Sequence, residues 1–194
     1  MNILICGDSF GADWNNKSSW PNLLEKKHTV INLAECGVSQ YKIYKQVNSI
    51  NLKTFDVIIL CNTHPYRVHT KNHPILYKNQ LHQNTDLLIN DILVKNSWFN
   101  RSLRAAQGYF RWHWDEEHAW DMYKLIVAEQ DRILKHKHVI KIKNFEELEG
   151  NIDTTVYPIF NGPNHRSNTD SKKIYNSITE LLSKAKELHN DNMD

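Results

Sequence analysis

The sequence lacks an apolar run long enough to cross a lipid bilayer. Its first apolar run starts almost at the initial methionine and leads directly into Gly7-Asp8-Ser9, so it is also too short for the apolar part of a secretory signal. We therefore expect a cytoplasmic protein without a membrane partner.

Cysteine is also scarce. Cys6, Cys36 and Cys61 are the only three, each lies in or beside an apolar run, and their spacing fits no zinc finger. Since an odd number cannot pair completely, the pattern predicts buried free thiols in a reducing compartment.

No excess of one charge is present. The chain has 24 Lys and Arg against 22 Asp and Glu, a formal net charge of +2, and no concentrated basic arm. We therefore expect no nucleic-acid partner. Without repeats or low-complexity segments, the 194 residues suit one domain spanning 1–194, with a frayed tail over 189–194.

What the chain does have is a series of short apolar runs separated by helical patterns. Strands are predicted at 3–6, 29–34 and 55–61, with helices between them. Right-handed crossovers make such strands parallel neighbours. The pattern predicts an α/β fold, a three-layer α/β/α sandwich with a mostly parallel sheet.

The second half gives a less regular pattern. The prediction is an amphipathic helix over 115–135, a fourth strand over 137–145, a short fifth strand at 156–160 and a last helix from about 169. Residues 66–114 form a long insertion or lid-like segment. Within it 86–94 has a helical pattern, while the aromatic and arginine-rich stretch 98–114 receives no assignment.

Polar or small residues follow the first three predicted strands. Ser9, Gly37 and Asn62 all fall at the carboxyl edge of the sheet, where open α/β sheets bind ligands. Each of these three residues alone is also common in simple turns. His165 lies in a loop before the last helix, and loop histidines are usually ordinary surface residues. Their shared edge favours a site.

These motifs together resemble the SGNH (GDSL-type) hydrolases. Gly7-Asp8-Ser9, Gly37, Asn62 and His165 match the order of that family's four blocks and span most of the chain. The resemblance implies a flavodoxin-like SGNH hydrolase fold and a serine esterase or acylhydrolase. An enzyme of this kind acts on an acyl ester, such as a small ester or an O-acetylated carbohydrate, with water as acceptor and no cofactor.

The resemblance also implies the roles of these residues. Ser9 is the nucleophile and His165 its base. The backbone N–H groups of Ser9 and Gly37 and the side-chain amide of Asn62 form the oxyanion hole. His64, Tyr66 and Arg67 directly follow Asn62 and are candidates for substrate binding.

The chain departs from the family pattern at two blocks. Gly-x-Asn-Asp is replaced by Leu60-Cys61-Asn62-Thr63, and Gly162 stands where Asp-x-x-His has its aspartate. Asn161, a backbone carbonyl of the 162–163 loop, or Asp153 remain candidates to orient His165.

Two alternatives accompany this hypothesis. The first is a binding protein of the same fold that no longer turns over. The second is a flavodoxin-like phosphate- or nucleotide-binding module, which predicts no hydrogen bond between Ser9 and His165. A metal site at His64, His69 and His73 is not predicted, because no acidic or thiolate partner lies nearby.

Overall fold

The centre of the molecule is a five-stranded parallel sheet. A computed structural model describes residues 1–78, 82–159 and 165–190. Its strands are β1 (Asn2–Gly7), β2 (Thr29–Asn32), β3 (Val57–Cys61), β6 (His138–Lys143) and β7 (Ile152–Asp153). Their order in the sheet is β2-β1-β3-β6-β7, and every neighbouring pair is parallel. A separate antiparallel pair is formed by β4 (Arg67–Val68) and β5 (Leu87–Leu88).

Helices cover both faces of the sheet. The helices of the described chain are α1 (Trp20–Glu25), α2 (Gln40–Asn48), α3 (Ile89–Leu93), α4 (Arg101–Trp112), α5 (Glu116–Leu134) and α6 (Asn168–Asn190), and a short 3₁₀ turn spans Leu52–Thr54. Of these, α3 and α4 belong to the insertion and pack against each other. Helices α1 and α6 pack together on one face, while α2 and α5 pack together on the other. The protein is therefore an α/β sandwich of three layers, as the sequence predicts.

The continuous apolar strands are explained by burial on both faces. In β1, Ile3 and Ile5 pack on the α1–α6 side, whereas Leu4 and Cys6 pack on the α2–α5 side. The same alternation runs along β3, which is wholly buried. A strand covered on both sides needs apolar residues at every position, which is typical of a central parallel strand.

The insertion contains its own small core. Ile92, Leu103 and Phe110 are buried against each other, and the Gln107 side-chain amide ties α4 to the carbonyl groups of Ile92 and Lys95. The stretch left unassigned from the sequence is thus mostly α4, while the helical pattern at 86–94 is divided between β5 and α3.

One predicted strand is wrong. Residues 156–159 form a turn and loop, and Phe160 lies outside the described residues; the fifth strand is β7 at Ile152–Asp153 instead. The Arg166 guanidinium donates a hydrogen bond to the Tyr157 carbonyl, a group that a strand would use for pairing. The chain there is held by side-chain bonds and makes no strand ladder.

Cys6, Cys36 and Cys61 are free and buried, as expected. Across the ranges that the structure describes, no helix is both long and apolar enough to cross a membrane. Helix α6 continues to Asn190, and 191–194 of the expected frayed tail lie outside the described residues.

Candidate active site

Ser9 lies in a tight turn at the carboxyl end of the central strand β1. The Asp8 N–H donates to the Cys61 carbonyl at 3.2 Å, and the Asp8 carbonyl accepts from the N–H groups of Gly11 and Ala12. Because β1 and β3 are neighbours, this turn lies beside the residues that follow β3. Ser9 is 6% exposed, so its hydroxyl occupies a nearly closed site.

His165, which is far from Ser9 in the sequence, lies next to it in the folded protein. Its Nε2 lies 2.8 Å from the Ser9 Oγ, although the two residues are 156 positions apart in sequence. The His165 backbone has a φ of 53°, in the left-handed region, just before α6. Non-glycine residues adopt this conformation uncommonly, and Asn15 is the other described non-glycine residue that does so.

Aromatic rings hold this pair from two sides. The Phe10 ring lies 4.9 Å from the His165 ring, and the Trp14 ring lies 5.9 Å from it on another side. The Trp14 indole N–H also donates to the Ser9 carbonyl at 3.0 Å. Trp14 therefore contacts both the serine turn and the histidine ring.

Arg166 anchors the histidine loop to the segment that follows β7. Its Nη1 donates to the Tyr157 carbonyl and its Nη2 to the Thr154 hydroxyl, both at 3.0 Å. The guanidinium also lies 4.9 Å above the Phe10 ring. A buried arginine with these partners fixes the loop next to the residue that follows Ser9.

The Gly37 loop runs beside the serine turn. Leu33 and Glu35 donate their N–H groups to the carbonyls of Ile5 and Gly7, which extends the pairing beyond β2 up to Gly7. Gly37 has a φ of 74°, a conformation that favours glycine. In the described part of the chain, neither the Ser9 nor the Gly37 backbone N–H donates to a protein acceptor, so both are available to a ligand.

Asn62 is buried in a polar network at the end of β3. The Gln40 Nε2 donates to the Asn62 Oδ1 at 3.0 Å, and the Gln40 Oε1 accepts from the Thr63 N–H. The Asn62 amide also hydrogen-bonds the Tyr123 hydroxyl, whose pKa is raised mainly by burial. Since an amide has two N–H donors, this network fixes the Asn62 side chain and leaves donor capacity free.

Asp8 brings a carboxyl group into the core directly before Ser9. It is 1% exposed, and burial raises its pKa to about 6, while the Phe10 N–H and the Arg67 charge oppose that rise. The Phe10 N–H donates to its Oδ1 at 3.0 Å. Asp8 thus shapes the serine turn from inside.

The residues considered for orienting His165 have different outcomes. The Asp153 Oδ1 accepts from the N–H and hydroxyl of Thr155, and its Oδ2 lies 3.5 Å from the Lys143 Nζ. That carboxylate is half-exposed on the edge strand β7, and the partners the structure describes for it are Thr155 and Lys143. Asn161 and the 162–163 loop lie outside the described residues.

The three substrate-binding candidates separate. His64 packs against the rings of Tyr66 and Trp120, and burial lowers its pKa. The Tyr66 hydroxyl donates to the Glu116 carboxylate. Arg67 instead donates from Nη1 to the Gly37 carbonyl at 3.1 Å and lines a cavity of about 210 Å³.

That cavity lies between α2, β4 and α5. Gln40 and Tyr123, the two partners of Asn62, contribute to its wall, and Val68, Met122 and Ile126 give it an apolar surface. Apolar walls with a few polar groups are typical of pockets for small organic groups.

Several residues of the site carry no sequence signal. Trp14 and Gln40 bond to Ser9 and Asn62. Thr85 and Arg166 contact Cys36 and Phe10, the neighbours of Gly37 and Ser9. Each of the four lies in a loop or at a helix start without a recognisable pattern. Only Arg166, directly after His165, was near enough to a motif to be suspected. As for metals, no group of three or more His, Cys, Asp or Glu side chains among the described residues is arranged to hold an ion.

The fold and the site together define an α/β sandwich with a serine–histidine pair at the carboxyl edge of its parallel sheet. No family model matches the sequence, and no curated protein matches it. A solved structure to which the chain is similar is an extracellular lipase from Streptomyces rimosus. The identity is 11%, the match covers 98% of this chain and 77% of the lipase chain, and the TM-score is 0.39.

Proposed function

We propose that this protein is a serine ester hydrolase in which Ser9 attacks an acyl carbonyl. The observation that carries the proposal is the 2.8 Å contact between the Ser9 Oγ and the His165 Nε2. A serine hydroxyl is a weak nucleophile at neutral pH, and a histidine within hydrogen-bonding distance is the group that activates it. A module that only bound phosphate would not require this contact.

The proposed reaction has two steps. His165 Nε2 takes the Ser9 proton as Oγ bonds to the carbonyl carbon, and the resulting imidazolium gives that proton to the departing alkoxide. Water then attacks the acyl-enzyme, His165 takes a proton from it, and Ser9 leaves with that proton as the carboxylic acid is released.

Three donors are proposed for the oxyanion that forms in each step. The N–H groups of Ser9 and Gly37 have no acceptor in the described part of the chain, and the Asn62 amide is held by Gln40 and Tyr123. Removing one such donor typically lowers the rate ~100- to 1,000-fold. The set needs no metal or organic cofactor.

For the substrate we propose a small ester or an O-acetylated carbohydrate. The cavity lined by Gln40 and Tyr123 has a mixed wall of aliphatic, aromatic and histidine side chains, which suits the acyl or alcohol part of such an ester. Ser9, Gly37 and His165 are not among the residues that line it. Of the three substrate-binding candidates, Arg67 is retained because it lines this cavity.

Labelling with a fluorophosphonate tests the proposal, because the probe phosphonylates only an activated serine. We expect labelling at Ser9 and hydrolysis of p-nitrophenyl acetate. Ser9→Ala abolishes both, and His165→Ala lowers both at least ~1,000-fold, in line with the loss of a catalytic base.

Two substitutions on the surface serve as matched controls. Ser183→Ala removes an exposed serine of α6, and His136→Ala removes an exposed histidine that follows α5; both variants keep wild-type activity. If the wild type is neither labelled nor active, or if Ser9→Ala labels equally well, the catalytic proposal is wrong and a binding protein of the same fold remains.

A further inference from the structure

The insertion reaches back to the loop that carries Gly37. Thr85 and Asp86, directly before β5, are both buried against it. The Thr85 Oγ1 donates to the Cys36 carbonyl at 3.3 Å, and the Asp86 N–H donates to the Gly37 carbonyl at 2.9 Å. The Asp86 Oδ2 accepts from the Ser39 N–H at 2.8 Å. Three successive peptide groups of the loop are thus bound by two neighbouring residues.

The bond from Thr85 controls the direction of one particular N–H. The Cys36 carbonyl and the Gly37 N–H belong to the same peptide group, and in a trans peptide they point in opposite directions. A donor fixed on the carbonyl therefore turns the Gly37 N–H away from Thr85, and it resists rotation of the whole peptide plane.

Steric contact adds to this restraint. A Cβ atom on Gly37 would lie 2.7 Å from the Thr85 Cγ2, so the threonine side chain packs directly on the Gly37 backbone. Arg67 donates to the Gly37 carbonyl as well, at 3.1 Å. The loop is therefore held by Thr85, Asp86 and Arg67, all from the insertion, and we call these three residues the clamp.

The clamp is itself held in place. The Asp86 carboxylate, which is fully buried, accepts from the Thr70 N–H at 2.8 Å and lies 2.9 Å from the Lys42 Nζ. It therefore connects the insertion at Thr70 with the start of α2 at Ser39 and Lys42. Buried charge with several such partners resists displacement.

We propose that Thr85 is a positioning residue that holds the Gly37 N–H toward the oxyanion, and that the insertion makes the site competent for catalysis. This inference rests on the ester hydrolase proposed above. Thr85 touches neither substrate nor the reacting atoms; it acts through the Cys36–Gly37 peptide group.

The test compares two complementary substitutions. Thr85→Val keeps the methyl group that packs against Gly37 but removes the hydroxyl, while Thr85→Ser keeps the hydroxyl and loses that methyl group. We expect Thr85→Val to lower kcat ~10- to 100-fold, less than complete loss of an oxyanion donor, with KM within about twofold. The rate of fluorophosphonate labelling falls in parallel. Thr85→Ser retains most of kcat.

A matched control separates positioning from stability. The Thr179 hydroxyl in α6 also donates to a backbone carbonyl, that of Tyr175, so Thr179→Val loses the same kind of bond elsewhere. Its kcat and labelling rate remain those of the wild type. A second disruption of the clamp, Asp86→Asn, leaves one acceptor oxygen for two backbone N–H donors and lowers kcat as well.

The outcomes distinguish this inference from the function on which it rests. A folded Thr85→Val protein with wild-type kcat overturns the positioning role while leaving ester hydrolysis intact, as does a Thr85→Ser variant that is as slow as Thr85→Val. If Thr85→Val does not fold, Asp86→Asn decides by the same criterion. A wild type that neither hydrolyses esters nor labels at Ser9 overturns both proposals together.

Discussion

Asp8 is the residue whose burial has the clearest energetic consequence. Its carboxyl is enclosed in the turn before Ser9, and burial raises its pKa from 3.8 to about 6. Since the folded protein holds this proton more tightly than the unfolded chain, stability falls as the pH rises through the window from about 4 to about 6. Above that window the ionised carboxylate costs stability.

We expect Asp8→Asn to stabilise the protein at pH 8 by up to ~3 kcal/mol, because about two pKa units correspond to that amount. The asparagine Oδ1 still accepts from the Phe10 N–H. Most of the gain is lost at pH 3.5, which is below both pKa values, because Asp8 is then largely protonated in both states. Urea denaturation at the two pH values measures it, with exposed Asp121→Asn as control. An equal change at both pH values would contradict the burial argument.

Single residues of the site could be predicted only where a motif marked them. Ser9 and His165 carry the family pattern, and the structure brings them together. Trp14 and Gln40 could not be found, because an indole bonded to a backbone carbonyl and an amide bonded to another amide leave no periodic trace. The sequence position of Asp153 likewise did not show that its carboxylate binds Thr155 and Lys143.

At the scale of the elements, replacing glycine by alanine is expected to have opposite effects on stability at Gly37, in a loop, and at Gly108, in helix α4. Gly37→Ala forces a Cβ into a left-handed residue, 2.7 Å from Thr85, and should cost at least ~1–3 kcal/mol. Nothing lies within 4 Å of a Cβ on Gly108, so Gly108→Ala should add up to ~1 kcal/mol of helix stability.

Melting temperatures of the two variants measure this contrast. A fall for Gly37→Ala and a rise for Gly108→Ala are expected, and each variant serves as the other's control. A rise for Gly37→Ala would show that the backbone of the Gly37 loop is less constrained than its contacts indicate, and a fall for Gly108→Ala would contradict the helix-propensity argument.

Whole elements were predictable where burial imposes a pattern. Strands β1 and β3 are covered on both faces, so every position is apolar and the strands stand out in the sequence. By contrast, β7 has only two residues. The buried face of α4 is interrupted by Gln107, whose amide donates to the carbonyls of Ile92 and Lys95. Such elements depend on contacts with distant residues.

At the scale of the whole molecule, the three thiols report on the integrity of the core. Burial raises the pKa of Cys6 and of Cys36 to about 12, and raises that of Cys61 as well. Each lies in or beside the central strands. Because the thiolate is the reactive form, these groups are protected both by access and by protonation.

We expect Ellman's reagent at pH 8 to react with the native protein only as fast as the protein opens, and to titrate three thiols at once in guanidinium chloride. The native rate should rise with denaturant in proportion to the unfolded population. A thiol that reacts rapidly in the native state would indicate that one side of the sheet is open to solvent.

The separation of Ser9 and His165 along the chain has a consequence for how the protein acquires activity. The Ser9 Oγ–His165 Nε2 contact joins residues that are 156 positions apart, one just after the buried strand β1 and the other just before α6, which packs on the sheet. A molecule in which these elements have not come together has a serine and a histidine but no reactive pair. If Ser9 is the nucleophile, the return of turnover during refolding reports when this long-range contact has formed.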